Sequence, residues 1–265
     1  MIADPTVGPR DQPPADNCLY VFGIVDGGRH LSAADAVALR DAEVDSAALC
    51  LAAVGSVAAV YSALDPTSLT AGEEEDLAAE QLAGLARRHD AVVRSLAAAG
   101  PVLPMRLGTL CADASRLIAL LRGSTRQIVA ALDSVRGRSE WSVRVSTVPA
   151  ASTSSAAAVA GTGTDYLLDR RQHQRRLAED AKAVALAAGE LDAELAALAE
   201  RTRERVYRAD TVVARSYLVP DAARGELVRV LASISDRLRD AGCAVEVVGP
   251  LPPYSFTDVR LEVVP

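Results

Sequence analysis

The chain has 265 residues, half of them apolar, a net charge of −7 and only 3% aromatic residues. That composition suits two modest globular units and excludes a disordered chain. The acidic balance argues against nucleic-acid partners, which need cationic contacts to phosphate, and against docking on a lipid membrane.

Residues 1–16 hold Pro5, Gly8, Pro9, Pro13 and Pro14 and read as a disordered tail with no apolar signal-peptide core. Cys18 to Val25 is a short apolar, β-prone run that ends at the turn signal Asp26-Gly27-Gly28. Ser32, with Asp35 three residues on, starts a short helix. Ser46 to Leu64 carries no charge and is long enough to raise a membrane span. Its Ala and Ser content, Gly55 and the flanking Asp45 and Asp65 favour two buried strands turning near Gly55. Glu73 to Ala98 reads as a helix with Leu82, Leu85, His89, Val92 and Leu96 on one stripe, closed by Gly100-Pro101. Val102 to Leu107 is a short buried segment, and a second helix is expected over 114–135.

Trp141, Val143 and Val145 alternate with Ser142 and Arg144, the period of a strand with one buried face. A Ser, Thr, Ala and Gly stretch follows as a linker. A long helix is expected over 164–207. Its seam is Leu177, Ala181, Val184, Ala188, Leu191, Leu195 and Leu198, suited to packing on a sheet or a short partner helix. Thr211 to Val219 reads as a strand, and Asp221 as the cap of a helix reaching Asp240 and ended by Gly242. Cys243 to Val248 is a strand, Gly249 to Pro253 a stiff turn, and Phe256 to Val264 a last strand. The predicted fold is α+β in two domains. Residues 17–147 form an N-terminal ferredoxin-like domain and 148–163 a flexible linker. Residues 164–265 form a modified ferredoxin-like domain with a long leading helix.

The residues offer little chemistry. Of three histidines, His30 follows turn glycines, His89 reads as a packed or hydrogen-bonded structural residue, and His173 lies in the basic run Arg170-Arg171-Gln172-His173-Gln174-Arg175-Arg176. That run reads as a solvated helix face or, more sharply, as a docking strip for an acidic partner. The four cysteines, Cys18, Cys50, Cys111 and Cys243, form no CxxC pair and suit a reducing cytoplasm. Gly161-Thr162-Gly163-Thr164 lacks the phosphate-loop lysine, and Glu73-Glu74-Glu75-Asp76 is explained by a helix start. No catalytic set, metal site or cofactor is expected.

Several segments resemble the gas vesicle protein F/L family. They are Tyr20 to Val25, Arg88 to Val93, Ala99 to Thr109, Glu140 to Val145, Gly163 to Arg171 and Gly249-Pro250-Leu251-Pro252-Pro253-Tyr254-Ser255-Phe256, in the family's order. Met105, Leu107 and Leu251 depart from the aromatic or aliphatic residues usual there. The resemblance implies two domains related to the ferredoxin fold and a cytoplasmic, gas-vesicle-associated protein. It implies a non-enzymatic accessory or minor structural role in building the vesicle wall. The implied partners are the small apolar shell protein GvpA and other accessory proteins.

A helper that shields an apolar subunit before assembly needs an exposed sheet edge or helix seam. The candidate partner contacts are Leu191, Leu195 and Leu198 on the seam, with Tyr254 and Phe256 in the terminal turn. Internal packing is the competing role for all five. A small-molecule-binding or enzymatic ferredoxin-like protein is the rival function, as is an adaptor that self-associates through the long helix.

Overall fold

The structure is a computed structural model that describes residues 18–27, 49–64, 75–148, 163–205 and 211–257. The tail, the helix expected after Ser32, most of the linker and the strand expected beyond Thr257 lie outside the described residues. The chain divides into two units. Unit 1 is Met1–Arg138 with Leu251–Pro265, and unit 2 is Ser139–Pro250.

Unit 1 is built on β1 (Cys18–Asp26), β2 (Cys50–Val54), β3 (Val57–Leu64), β4 (Val102–Pro104) and β5 (Leu110–Cys111), with helices α1 (Glu75–Ala99) and α2 (Ala114–Val135). The uncharged stretch is the hairpin β2–β3, not a span. Val54 pairs with Val57, and Gly55 takes the positive φ, +58°, that a two-residue turn asks of its first central residue. The strand order is β2-β3-β1-β4, with β5 also on β1, and these pairings are antiparallel.

Strand β1 is buried along both faces, as its unbroken apolar run allows. Helix α1 contributes Val92, Val93 and Leu96 to a core with Tyr20, Phe22, Val25, Ala58, Val60 and Val102. Helix α2 packs across β1 to β5 and buries Leu117, Leu121, Ile128, Leu132 and Val135. Asp113 caps α2 by accepting from the Arg116 backbone N–H at 2.8 Å. Tyr20 and Phe22 share a face by the strand period of two, and a bulge between Val21 and Gly23 shifts the phase so that Val25 joins the same core. The α1 stripe starts later than expected: Leu82 is 56% exposed, because the sheet lies under the C-terminal half of the helix.

Unit 2 takes β6 (Arg138–Thr147), α3 (Gly163–Leu198), β7 (Arg201–Glu204), β8 (Thr211–Pro220), α4 (Arg224–Asp240) and β9 (Cys243–Leu251). Its sheet order is β7-β8-β6-β9. Trp141, Val143 and Val145 of β6 join Val184, Ala188, Leu191 and Leu195 of α3 and Leu227, Leu231, Ile234 and Leu238 of α4 in one core.

Several expectations change. The boundary falls before β6, not after residue 147, because β6 is hydrogen-bonded into the second sheet. Leu251–Pro265 belongs to unit 1 and not to the C-terminal domain. The long helix stops at Leu198 instead of 207, since Arg201–Glu204 pairs antiparallel with Arg215–Leu218. Asp221 opens a single 3-10 turn and accepts from Ser139 Oγ, so it does not cap α4. The strand expected to start at Phe256 begins in a turn: Phe256 N–H bonds the Pro253 carbonyl at 3.1 Å.

Both sheets run in the order second, third, first, fourth strand. A split β-α-β arrangement produces that order by inserting the third strand between the first two. This order is what supports a ferredoxin-like assignment for the two units, which we offer as a proposal.

Candidate functional site

The family-like segments of unit 1 meet at one polar knot. An apolar strand that buries a tyrosine must satisfy its hydroxyl. Tyr20 of β1 does so with His89 of α1, whose Nδ1 lies 2.8 Å from the phenol oxygen. His89 also bonds the Met105 backbone, a contact its ring makes only by donating to the carbonyl. That assigns the proton to Nε2, so Tyr20 donates to Nδ1 and accepts from the Gly108 N–H at 3.4 Å. The Phe22 ring stacks on His89 at 5.9 Å, and the Arg88 guanidinium lies over Phe22 at 5.7 Å. Burial lowers the His89 pKa below 6.5, against smaller opposing effects from the Met105 bond and Asp90. Burial likewise raises that of Tyr20.

Asp90, the next residue, points elsewhere. It accepts from Tyr254 Oη at 2.7 Å and from Arg94 Nε at 2.6 Å. The residue pair thus ties α1 to β1 and the 105–109 loop on one side and to the terminal Pro-Pro-Tyr-Ser-Phe segment on the other. Met105 N–H bonds the Phe22 carbonyl at 2.9 Å and Val21 N–H the Thr109 carbonyl at 3.0 Å, which fixes that loop along β1.

Unit 2 has two matching features. Gly249 lies against Trp141: a Cβ there would stand 2.5 Å from a ring carbon, so only glycine fits. The Arg224 guanidinium lies 5.9 Å from the Trp141 ring centre. Asp192 of α3 accepts from Tyr217 Oη at 2.5 Å and from Arg215 Nη1 at 2.6 Å, pinning α3 to β8. Burial, then the bond to Asp192, raises the Tyr217 pKa far above 10.

The five expected contact residues fall into two groups. Leu191 and Leu195 are wholly buried in the unit 2 core and Phe256 is 3% exposed, so all three are occupied by internal packing. Leu198 and Tyr254 are part-buried, packed on the unit 2 and unit 1 cores respectively. The structure brings Leu191, Leu195 and Leu198 together, while Tyr254 and Phe256 stand in unit 1. His89 is the packed, hydrogen-bonded residue expected, and His173 is exposed on α3. Sequence reasoning missed Tyr20, Asp192 and Tyr217. A lone tyrosine inside an apolar strand was the available signal. Among the described residues no group of three His, Cys, Asp or Glu is placed to hold a metal ion, and no helix is long and apolar enough to cross a membrane.

Comparison with known proteins gives a consistent result. The family model for gas vesicle synthesis protein GvpL/GvpF matches residues 18–258. Gas vesicle protein L of Streptomyces sp. (strain CB03234) is 35% identical over 202 residues, which cover 71% of this chain and 73% of that protein. The crystal structure of GvpF from Anabaena sp. PCC7120 superposes with a TM-score of 0.61 at 16% identity, covering 92% of this chain and 97% of that one. GvpF from Microcystis aeruginosa gives 0.61 at 13% identity, covering 91% and 99%. These two structures show a shared fold. With a family match across nearly the whole described chain and a relative above 30% identity, this chain belongs to the GvpL/GvpF family of gas vesicle proteins.

Proposed function

We propose that the chain is an accessory or minor structural protein of gas vesicle assembly, working in the cytoplasm and at the vesicle. It binds the apolar shell protein GvpA and other accessory proteins. The observation that carries this reading is the family match over residues 18–258. A physical need supports it, since a shell subunit with an apolar gas-side face aggregates unless shielded before assembly. Of the five contact residues first considered, Tyr254 and Leu198 keep part of their surface, whereas Leu191, Leu195 and Phe256 would have to leave a core.

Deleting the gene in its host tests the role. Absent or malformed vesicles are expected, and normal vesicles would defeat the reading. Retention of wild-type chain on immobilised GvpA tests the partner. A folded Tyr254→Ala variant that binds as well as wild type removes the terminal turn from the contact.

A further inference from the structure

Helix α3 is the longest described helix. At about 1.5 Å per residue its 36 residues span about 54 Å. Among its described side chains the first buried one is Val184. Residues 170–176 and 178–183 are all exposed, so the sides that would continue the seam, Ala181 among them, face solvent. An exposed helical stretch of this length is marginal on its own.

This exposed arm carries Arg170, Arg171, Arg175 and Arg176. Some other arginines are paired: Arg136 with Asp26, Arg144 with Glu246, Arg215 with Asp192, and Arg237 with Glu190. Among the described residues none of the four arm arginines pairs with a carboxylate. They contribute +4 to a net charge of −7, leaving −11 on the remainder. The strip lies about 12–21 Å along the helix from Val184, measured at 1.5 Å per residue. That exceeds the screening length of about 8 Å at physiological salt, so the four arginines are screened from the packed part of unit 2, while Asp169, Glu179 and Asp180 flank them on the same helix and offset part of their charge.

We propose that the arm Arg170–Arg176 is a docking strip for an acidic segment of another protein, recognised by guanidinium–carboxylate pairing. The inference rests on the accessory-protein reading above and names the chemistry of one partner. Arginine presents a planar fork that pairs two-pronged with a carboxylate. A nucleic acid fits less well. The strip is only about 9 Å long at 1.5 Å per residue, and a polyanion running past it meets the negative remainder.

The test is fluorescence anisotropy of fluorescein-labelled tetraglutamate with the full chain. Wild type should bind, more weakly at 0.5 M than at 0.05 M salt, because the screening length shortens from about 14 Å to about 4 Å. The R170Q/R171Q/R175Q/R176Q variant should lose at least about tenfold in affinity, on the order of 1.4 kcal/mol. A variant of equal charge change on other exposed arginines, R116Q/R122Q/R126Q/R229Q, should bind as wild type. Glutamine keeps helix propensity. The pairs R170Q/R171Q and R175Q/R176Q, each compared by far-UV circular dichroism, separate lost charge from lost helix. No binding by wild type, or equal weakening by the control variant, overturns the proposal. Tighter binding of a 20-nucleotide single-stranded DNA that is lost with the same arginines reassigns the strip to nucleic acid and also overturns it. The readout is independent of vesicle formation, so normal vesicles in the deletion strain would defeat the accessory role without altering this result.

Discussion

Strand β1 in unit 1 is buried along both faces, whereas its counterpart β6 in unit 2 alternates buried Trp141, Val143 and Val145 with half-buried Ser142 and Arg144. The strand order around them is the same. Unit 1 adds a second helix, α2, across its sheet, and β1 is accordingly a continuous apolar run. Unit 2 packs α3 and α4 together with the face that carries Trp141, and β6 is written with period two. One topology thus tolerates two burial regimes, and the residue pattern of the first strand records which one applies. Each unit also ties a buried tyrosine to a helix side chain. Tyr20 meets the neutral imidazole of His89, while Tyr217 meets the carboxylate of Asp192, which Arg215 holds as well.

Removing one apolar contact should separate the units most strongly. Leu191→Ala leaves a cavity in the unit 2 core and should cost about 2–5 kcal/mol. Hydrogen exchange followed segment by segment should then show faster exchange in β6, β8 and α4 than in β1 and β3. Equal acceleration in both units would mean that they unfold as one. Gly249→Ala should cost about 1–3 kcal/mol by forcing Trp141 to move. Trp141 is the single tryptophan, so its emission reports the shift directly, and an unchanged spectrum would contradict the packing.

The two tyrosine anchors differ in smaller ways. Tyr217→Phe should destabilise by about 1.5 kcal/mol, because the lost bond goes to a charged group. The smallest effect is pH dependence at His89. Its folded pKa lies below 6.5, so the unfolded chain binds more protons below that pH. The stability is whole above pH 6.5 and declines as pH falls from there toward the folded value. Burial of the charged ring is the main cost, the protonated ring would lose Tyr20 as a donor partner, and the Met105 bond and Asp90 offset part of this. Urea midpoints for wild type and His89→Gln should diverge below pH 6.5 and run parallel above it. Parallel behaviour throughout would show that His89 does not titrate differently on folding.

Local pattern made much of the fold legible. The bounds of α2, the hairpin at Gly55, and strands β1, β6 and β8 were readable from period, turn residues and caps. Strand β7 was not, because Arg-Thr-Arg-Glu is helical by propensity and becomes a strand only through pairing with β8. Nor was the grouping of elements, since β6 joins unit 2 by hydrogen bonds to strands that follow it by dozens of residues. At the knot, the inward placement of His89 on its stripe was legible. Its partner Tyr20 is 69 residues away, and Tyr254 is 164 residues from Asp90, distances over which a single sequence carries no pairing signal. The seam through Leu191 and Leu195 was read correctly as a stripe, and its depth in the core came from the sheet beneath it.

The return of Leu251–Pro265 to unit 1 makes unit 2 an insertion within a unit begun earlier. On a ribosome the consequence is temporal. Asp90 is made 164 residues before Tyr254, roughly 8–33 s at 5–20 residues per second. Throughout that interval the nascent first sheet has Arg94 for Asp90 but not the tyrosine that closes the terminal turn. Residues made after unit 2 complete the unit whose strands were made before it.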